Sequence, residues 1–274
     1  MKKLLLLVSL ASLVLLAACG KKTENTAETT EASKEPVVIK VGATPVPHSE
    51  LLNAVKEDLA AKGYTLEIVE FTDYVTPNLA LNDGTIDANF FQHVPYMESF
   101  AKDKGLNLVS AGKIHVEPLG LYSKKFTSVN DLPEGAKIAI PNDPSNGGRA
   151  LILLQANGLI KLDPNAGLEA TEKDIVENPK NFKFTALEAA QLPRTLADVD
   201  ASIINGNYAL ESGLNPVKDS ILLEGENSPY ANIVTVVAGK EKDEKIVALI
   251  EALQSDKIKN FIVEKYNGGV VPAF

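Results

Sequence analysis

The chain holds a single cysteine, Cys19, among 274 residues, so it can close no intrachain disulfide. It also lacks the patterns of the common catalytic sites: no G-x-S-x-G elbow, no Walker A loop, no G-x-G-x-x-G fingerprint and no H-E-x-x-H pair. These gaps argue for a non-enzyme, although a hydrolase triad assembles in space and needs no local signature. Histidine is scarce. His48, His93 and His115 lie far apart beside different elements, and their spacing does not gather the nitrogens and carboxylates that zinc needs. No metal and no cofactor are therefore expected. Net basic charge is missing as well. All 36 acidic residues but only 25 of the 27 basic ones follow Cys19, which leaves that part near −11 and argues against nucleic acid as a partner. No internal repeat of fixed period is evident.

What is present begins with an export signal. Met1-Lys2-Lys3 supplies positive charge, residues 4–16 form an apolar run broken only by Ser9 and Ser12, and Ala17-Ala18 precede Cys19. The run is too short to span a bilayer and suits a secretory signal over residues 1–18. Leu16-Ala17-Ala18-Cys19 resembles a bacterial lipobox, which implies acylation of Cys19 and anchoring at the extracytoplasmic face of the cell membrane. The other reading is an incidental cysteine beside an ordinary cleavage site. Buried acyl chains contribute about 0.8 kcal/mol per methylene, so several hold a protein firmly. Residues 20–36 carry Thr, Glu, Lys and Ala but no large apolar side chain. Such a segment buries too little surface to offset its ordering entropy, and 19–36 is expected to be a lipidated, flexible tether.

From Val37 onward, short apolar runs alternate with helix-like stretches, the signature of α/β architecture. VVIKVGA (37–43) reads as a buried strand, and Ser49 is placed to cap a helix whose Leu51, Leu52, Val55 and Leu59 share one face before Gly63. Residues 64–71 alternate as a second strand, making a βαβ unit. Further strands are expected at 85–91, 106–111, 137–141, 182–186 and 201–204, and helices at 77–82, 94–104, 147–157, 242–254 and 257–266. HVEPLGLYSKKF (115–126) has Pro and Gly inside an extended run, and SPYANIVTVVAG (228–239) is a second extended stretch; both suit segments that cross between lobes. The expected arrangement is a lobe of 37–120 plus 227–274 and a lobe of 121–226, with a single continuous sheet as the alternative.

Seven segments together resemble the NlpA/MetQ family of methionine-binding lipoproteins: FTDYVTPNLAL (71–81), DANFFQHVPY (87–96), PNDPSNGGRALILLQ (141–155), VENPKN (176–181), LEAAQLPRTL (187–196), SPYANI (228–233) and YNGG (266–269). The resemblance covers nearly all of 37–274 in order. It implies a two-lobed periplasmic-binding-protein fold of type II-like form, an expected monomer. It also implies capture of methionine, L and/or D, for delivery to an ABC permease and, through it, a cytoplasmic ATPase. A methionine-containing dipeptide, another apolar amino acid, or a lipid-anchored hydrolase are the competing readings.

Arg149 leads the candidate site residues. It follows the turn-rich PNDPSNGG into a helix, where a guanidinium fork can grip a carboxylate and glycines permit close backbone approach. The plain alternative is a surface arginine in an exposed first turn. The resemblance implies that Asn205 and Asn232 contact the ligand's carboxylate and amine. Asn146 joins them as a weaker candidate, since NDPSN also suits a capped turn. By the same resemblance Tyr74, Phe91, His93 and Tyr96 enclose the side chain, with Phe91 preferred over Phe90; aromatic walls suit a thioether, at about 0.3–1.5 kcal/mol per sulfur contact. His93 is expected to be a neutral hydrogen-bonding wall. Val94 and the second Phe depart from the family's usual residues.

Overall fold

A computed structural model describes residues 35–225 and 228–274. The export signal, Cys19 and nearly all of the tether lie outside these residues. Among the described residues, no helix is long and apolar enough to cross a membrane.

The first four strands are β1 (Val37–Ala43), β2 (Tyr64–Glu70), β3 (Ala88–His93) and β4 (Leu108–Val116). The next seven are β5 (Gly120–Tyr122), β6 (Lys137–Pro141), β7 (Lys161–Leu162), β8 (Ile175–Glu177), β9 (Lys183–Leu187), β10 (Ala201–Ile204) and β11 (Ser220–Leu223), followed by β12 (Ala231–Val237) and β13 (Val271–Pro272). Among the described residues six strands form one sheet, in the order β13-β4-β12-β3-β1-β2, and five form another, β11-β5-β10-β6-β9. Strands β7 and β8 pair as a separate antiparallel ribbon. The single continuous sheet is not what forms. The architecture is α/β with two lobes, and the chain passes between the sheets after Val116 and again after Leu223.

Each sheet has its own core. On the first, Ile39, Val41, Leu51, Leu52, Phe90, Ile114 and Val234 are buried together with Leu249 and Ile262 of the C-terminal helices. On the second, Leu121, Ile138, Leu151, Leu154 and Ile203 pack between sheet and helix. Every such side chain contributes roughly 1.5–3 kcal/mol on leaving water. Strands β1, β2 and β3 run parallel, as expected for strands linked by helical crossovers, whereas β12 returns antiparallel between β3 and β4.

Several boundaries differ from the sequence reading. Ser49 does not cap a helix: the chain already turns at Pro45–Ser49, and the helix continues as Glu50–Ala54 and Lys56–Ala61 around Val55 at φ −103, ψ 0. Strand β3 starts at Ala88 instead of 85, because Thr85 N–H folds back to the Ala80 carbonyl and Asp87 is tied to Lys40 through backbone and side chain. The helix expected from 147 starts at Pro144, with Asp143 accepting from the Asn146 N–H as its cap. Gly105 closes the helix Val94–Lys104 in the left-handed conformation, as its position implies.

Candidate functional site

The two sheets meet at a cleft of about 320 Å³ lined by Tyr74, Phe91, Gln92, His93, Tyr96, Glu117, Asn146, Arg149, Asn205, Gly206, Asn207 and Asn232. All eight ligand-contact candidates are thus brought to one place from segments far apart in the chain.

One wall is aromatic. Tyr74, Phe91 and Tyr96 form a triangle with ring centroids 5.7–6.0 Å apart. Alternation along β3 sends Phe91 to the cleft while Phe90, wholly buried, packs in the core edge-on to His48 at 4.7 Å. The Tyr96 hydroxyl donates to the Tyr74 carbonyl at 2.8 Å, and the Tyr74 hydroxyl donates to Asn207 Oδ1 at 2.5 Å across the cleft. Burial raises the hydroxyl pKa of both tyrosines, so they stay protonated donors.

His93 joins this wall to the polar one. It caps the helix Val94–Lys104, its Nδ1 accepting from the Tyr96 N–H at 3.1 Å. That bond places the ring proton on Nε2, which donates to Asn146 Oδ1 at 3.1 Å. Burial, with the Arg149 charge adding to it, lowers the His93 pKa to about 3, so the ring is a neutral donor. Asn146 Oδ1 also accepts from Asn205 Nδ2 at 2.8 Å, and its Nδ2 donates to Asp143 at 3.0 Å. The polar groups of Asn146 are therefore engaged within the protein.

Arg149 is 3% exposed, which rules out the surface arginine, and it sits in the second turn of its helix instead of the first. Its Nε donates to Glu224 Oε1 at 3.0 Å, its Nη2 donates to Glu224 Oε2 and, at 2.9 Å, to the Glu117 carbonyl, and its guanidinium lies 4.3 Å above the Tyr230 ring. The fork's Nε–Nη2 edge is held by Glu224; among the described residues Nη1 has no hydrogen-bond partner. The neighbouring glycines serve packing. A Cβ on Gly148 would stand 2.1 Å from the Leu168 carbonyl oxygen, and one on Gly147 3.0 Å from that of Pro141.

Glu117, Asn207, Gly206 and Gln92 line the cleft without having stood out in the sequence. Glu117 falls in the segment read only as a crossing, and Asn207 lies two residues beyond Asn205 in Asn-Gly-Asn, a triplet after a buried strand that could have signalled it. Asn205 Oδ1 and Asn207 Nδ2 are buried and, among the described residues, have no partner. With the other end of each amide already engaged, the cleft offers a bare acceptor from Asn205 and a bare donor from Asn207. His48 and His115, distant in sequence, converge on Glu117, with Nε2 atoms 3.2 and 2.7 Å from its Oε1.

Two α/β lobes closing over a cleft with a ring-lined wall and a zwitterion-sized set of donors and acceptors define a substrate-binding protein of the periplasmic-binding type. The chain belongs to the NlpA lipoprotein family, whose model matches residues 39–274. It is 42% identical over 273 residues to the probable D-methionine-binding lipoprotein MetQ of Vibrio cholerae, covering 99% of this chain and 97% of that one. It is 45% identical over 262 residues to the methionine-binding lipoprotein MetQ of Bacillus subtilis, covering 94% and 93%. A nutrient binding protein from Burkholderia cenocepacia bound to methionine superimposes with a TM-score of 0.84 at 49% identity, over 86% of this chain and 100% of that one. The chain is thus of a lipoprotein family, membrane-anchored and extracytoplasmic in kind.

Proposed function

We propose that the protein captures methionine between its lobes and delivers it to an ABC importer. The carrying observation is the pairing of the aromatic triangle of Tyr74, Phe91 and Tyr96 with a buried polar set that includes Arg149, Asn205 and Asn232. Arg149 Nη1, Asn207 Nδ2 and the Asn232 amide hold the α-carboxylate, while Asn205 Oδ1 and Glu117 receive the α-ammonium. The rings and neutral His93 enclose the thioether, and Asn146 acts as a strut between His93 and Asn205. Residues 37–116 with 231–274 form one lobe and 120–223 the other, hinged at the two passages between sheets, so Gly120, read with the first lobe in the sequence, belongs to the second. Ligand binding favours the closed form, which the permease and its ATPase partner read. Cys19 carries the lipid anchor, and the protein acts as a monomer without catalysis.

Calorimetry and thermal melts with L-methionine, D-methionine, a methionine-containing dipeptide and leucine test this. At a hundredfold excess over Kd, linkage adds about 2.7 kcal/mol, and the melting temperature rises by roughly 5–10 °C for a chain of this size. A protein whose melting temperature moves with none of these ligands is not a methionine carrier.

A further inference from the structure

Behind the polar wall lie Thr44, His48 and His115, all fully buried, and Glu117, 5% exposed. The residues come from three places: the end of β1, the turn after it, and the end of β4 with the crossing that follows. With Glu117 ionised, their hydrogen bonds admit one proton arrangement. Thr44 Oγ1 lies 2.7 Å from His48 Nδ1, and His48 Nε2 lies 3.1 Å from Asn232 Oδ1 and 3.2 Å from Glu117 Oε1. A bare Nε2 would face two acceptor oxygens, so the proton sits there and Thr44 donates to Nδ1. His115 Nε2, 2.7 Å from Glu117 Oε1, must likewise carry its proton. Its Nδ1 is then the bare nitrogen, and among the described residues that atom has no partner. Two imidazole N–H groups thus converge on one carboxylate oxygen. Gly206 permits this placement, since a Cβ there would stand 2.7 Å from Glu117 Cβ and 3.2 Å from Oε2.

We infer that His48 and His115 are positioning residues for ligand binding: their Nε2–H groups hold Glu117 as an anion for the ligand's ammonium, and His48 turns the NH2 of Asn232 toward the carboxylate. The inference rests on the reading of the cleft as an amino-acid site. It assigns the two rings a role as neutral donors and not as counter-cations. Burial lowers their pKa values to about 4 for His48 and about 3 for His115, so neither carries charge near neutrality. Burial also raises the Glu117 pKa, while the Arg149 charge and the Asn207 backbone N–H pull it down; the pull that a charged His48 would add is absent while that ring is neutral. The groups facing Glu117 are the two histidines, Arg149 with its partner Glu224, the Asn207 backbone N–H, and at longer range the neutral hydroxyls of Tyr74 and Tyr266. Removing an N–H donor leaves burial less opposed, and the carboxyl takes up a proton at higher pH.

The test is methionine affinity by calorimetry at about pH 7.5 and about pH 5.5 for wild type, His48→Leu, His48→Gln and His115→Leu. The leucine variants are expected to lose about tenfold or more at the higher pH, and a further several-fold relative to wild type at the lower, as Glu117 protonates. His48→Gln keeps an N–H donor and is expected to restore most of the affinity and the wild-type pH profile. Leucine variants that bind as wild type does, or lose the same factor at both pH values, overturn the inference, because a merely structural defect has no reason to follow Glu117. If the leucine variants do not fold, wild type alone decides. Equal binding heats in two buffers of unlike ionisation enthalpy at about pH 7.5 mean Glu117 is already ionised, whereas a proton released on binding overturns the inference. Wild type that takes up no methionine removes the reading of the cleft itself, and this inference with it; wild type that binds while the variants show no pH effect removes this inference alone.

Discussion

Arg149 illustrates what a single buried charge does in this molecule. Glu224 and the Glu117 carbonyl fix the guanidinium plane, and the Tyr230 face covers it, so its remaining N–H groups are held in place before a ligand arrives. Arg149→Ala is expected to weaken methionine binding by about 2–5 kcal/mol, the cost of leaving a desolvated carboxylate unpaired, as read by calorimetry on the folded variant. Arg149→Lys should recover little of it, because an ammonium cannot bond Glu224 through two parallel N–H groups and still reach the ligand. An affinity unchanged in either variant would remove Arg149 from the site. At this scale the sequence was readable where a residue stands inside a rich motif, as Arg149, His93 and Asn232 do. Glu117, Asn207 and Glu224 sit in segments whose local pattern says only crossing or strand end. Their importance comes largely from distant partners, such as Arg149, 32 positions from Glu117 and 75 from Glu224, and Tyr74, 133 from Asn207.

At the scale of elements, the helix Pro144–Ala156 shows how packing decides what a sequence feature is for. Asp143 caps it, Pro144 opens it where a missing N–H costs little, and Ala150, Leu151 and Leu154 bury its inner face. Gly147 and Gly148 read as room for a ligand, yet Gly148 is where the 167–169 turn rests on the helix. Gly148→Ala is expected to lower stability by about 1–3 kcal/mol through overpacking against backbone, measured as a reduced urea midpoint with an unchanged slope. Wild-type stability in that variant would mean the turn moves aside freely. Many strands and helices followed from periodicity, but β5, β7, β8, β11 and the helix Gly206–Glu211 did not. The stretch 228–239, read as a crossing segment, supplies β12 inside the first sheet, and element ends were not encoded locally. The start of β3, for example, is set by Asp87 reaching Lys40 on a neighbouring strand, a contact that exists only once β1 and β3 pair.

For the whole molecule, burial of three neutral imidazoles makes stability depend on pH with a definite sign. His48, His93 and His115 have pKa values lowered to about 4, 3 and 3, against 6.5 in the unfolded chain. As pH falls through 6.5 the unfolded chain binds protons that the folded one refuses, so stability is full above that value and declines toward pH 4. The slope is at most roughly 1.4 kcal/mol per pH unit for each ring. Glu117 and Asp143, whose pKa values are raised, act in the opposite sense and offset part of the loss, since the folded protein takes up their protons first. Urea unfolding between about pH 7.5 and pH 5 should show the decline, and a His48→Leu, His93→Leu and His115→Leu series should flatten it if the imidazoles carry it.

The sequence by itself determined the alternation of strands and helices, the apolar faces that build two cores, and the family, because each depends on local periodicity or on motifs read in order. Tertiary structure alone decided how Glu224 takes one edge of Arg149, which amide ends of Asn205 and Asn207 are left bare at the cleft, and that two distant histidines share one carboxylate. These are contacts between elements, set when sheets pair and lobes meet, where hydrogen-bond geometry within a few tenths of an ångström selects one arrangement that composition and spacing leave open.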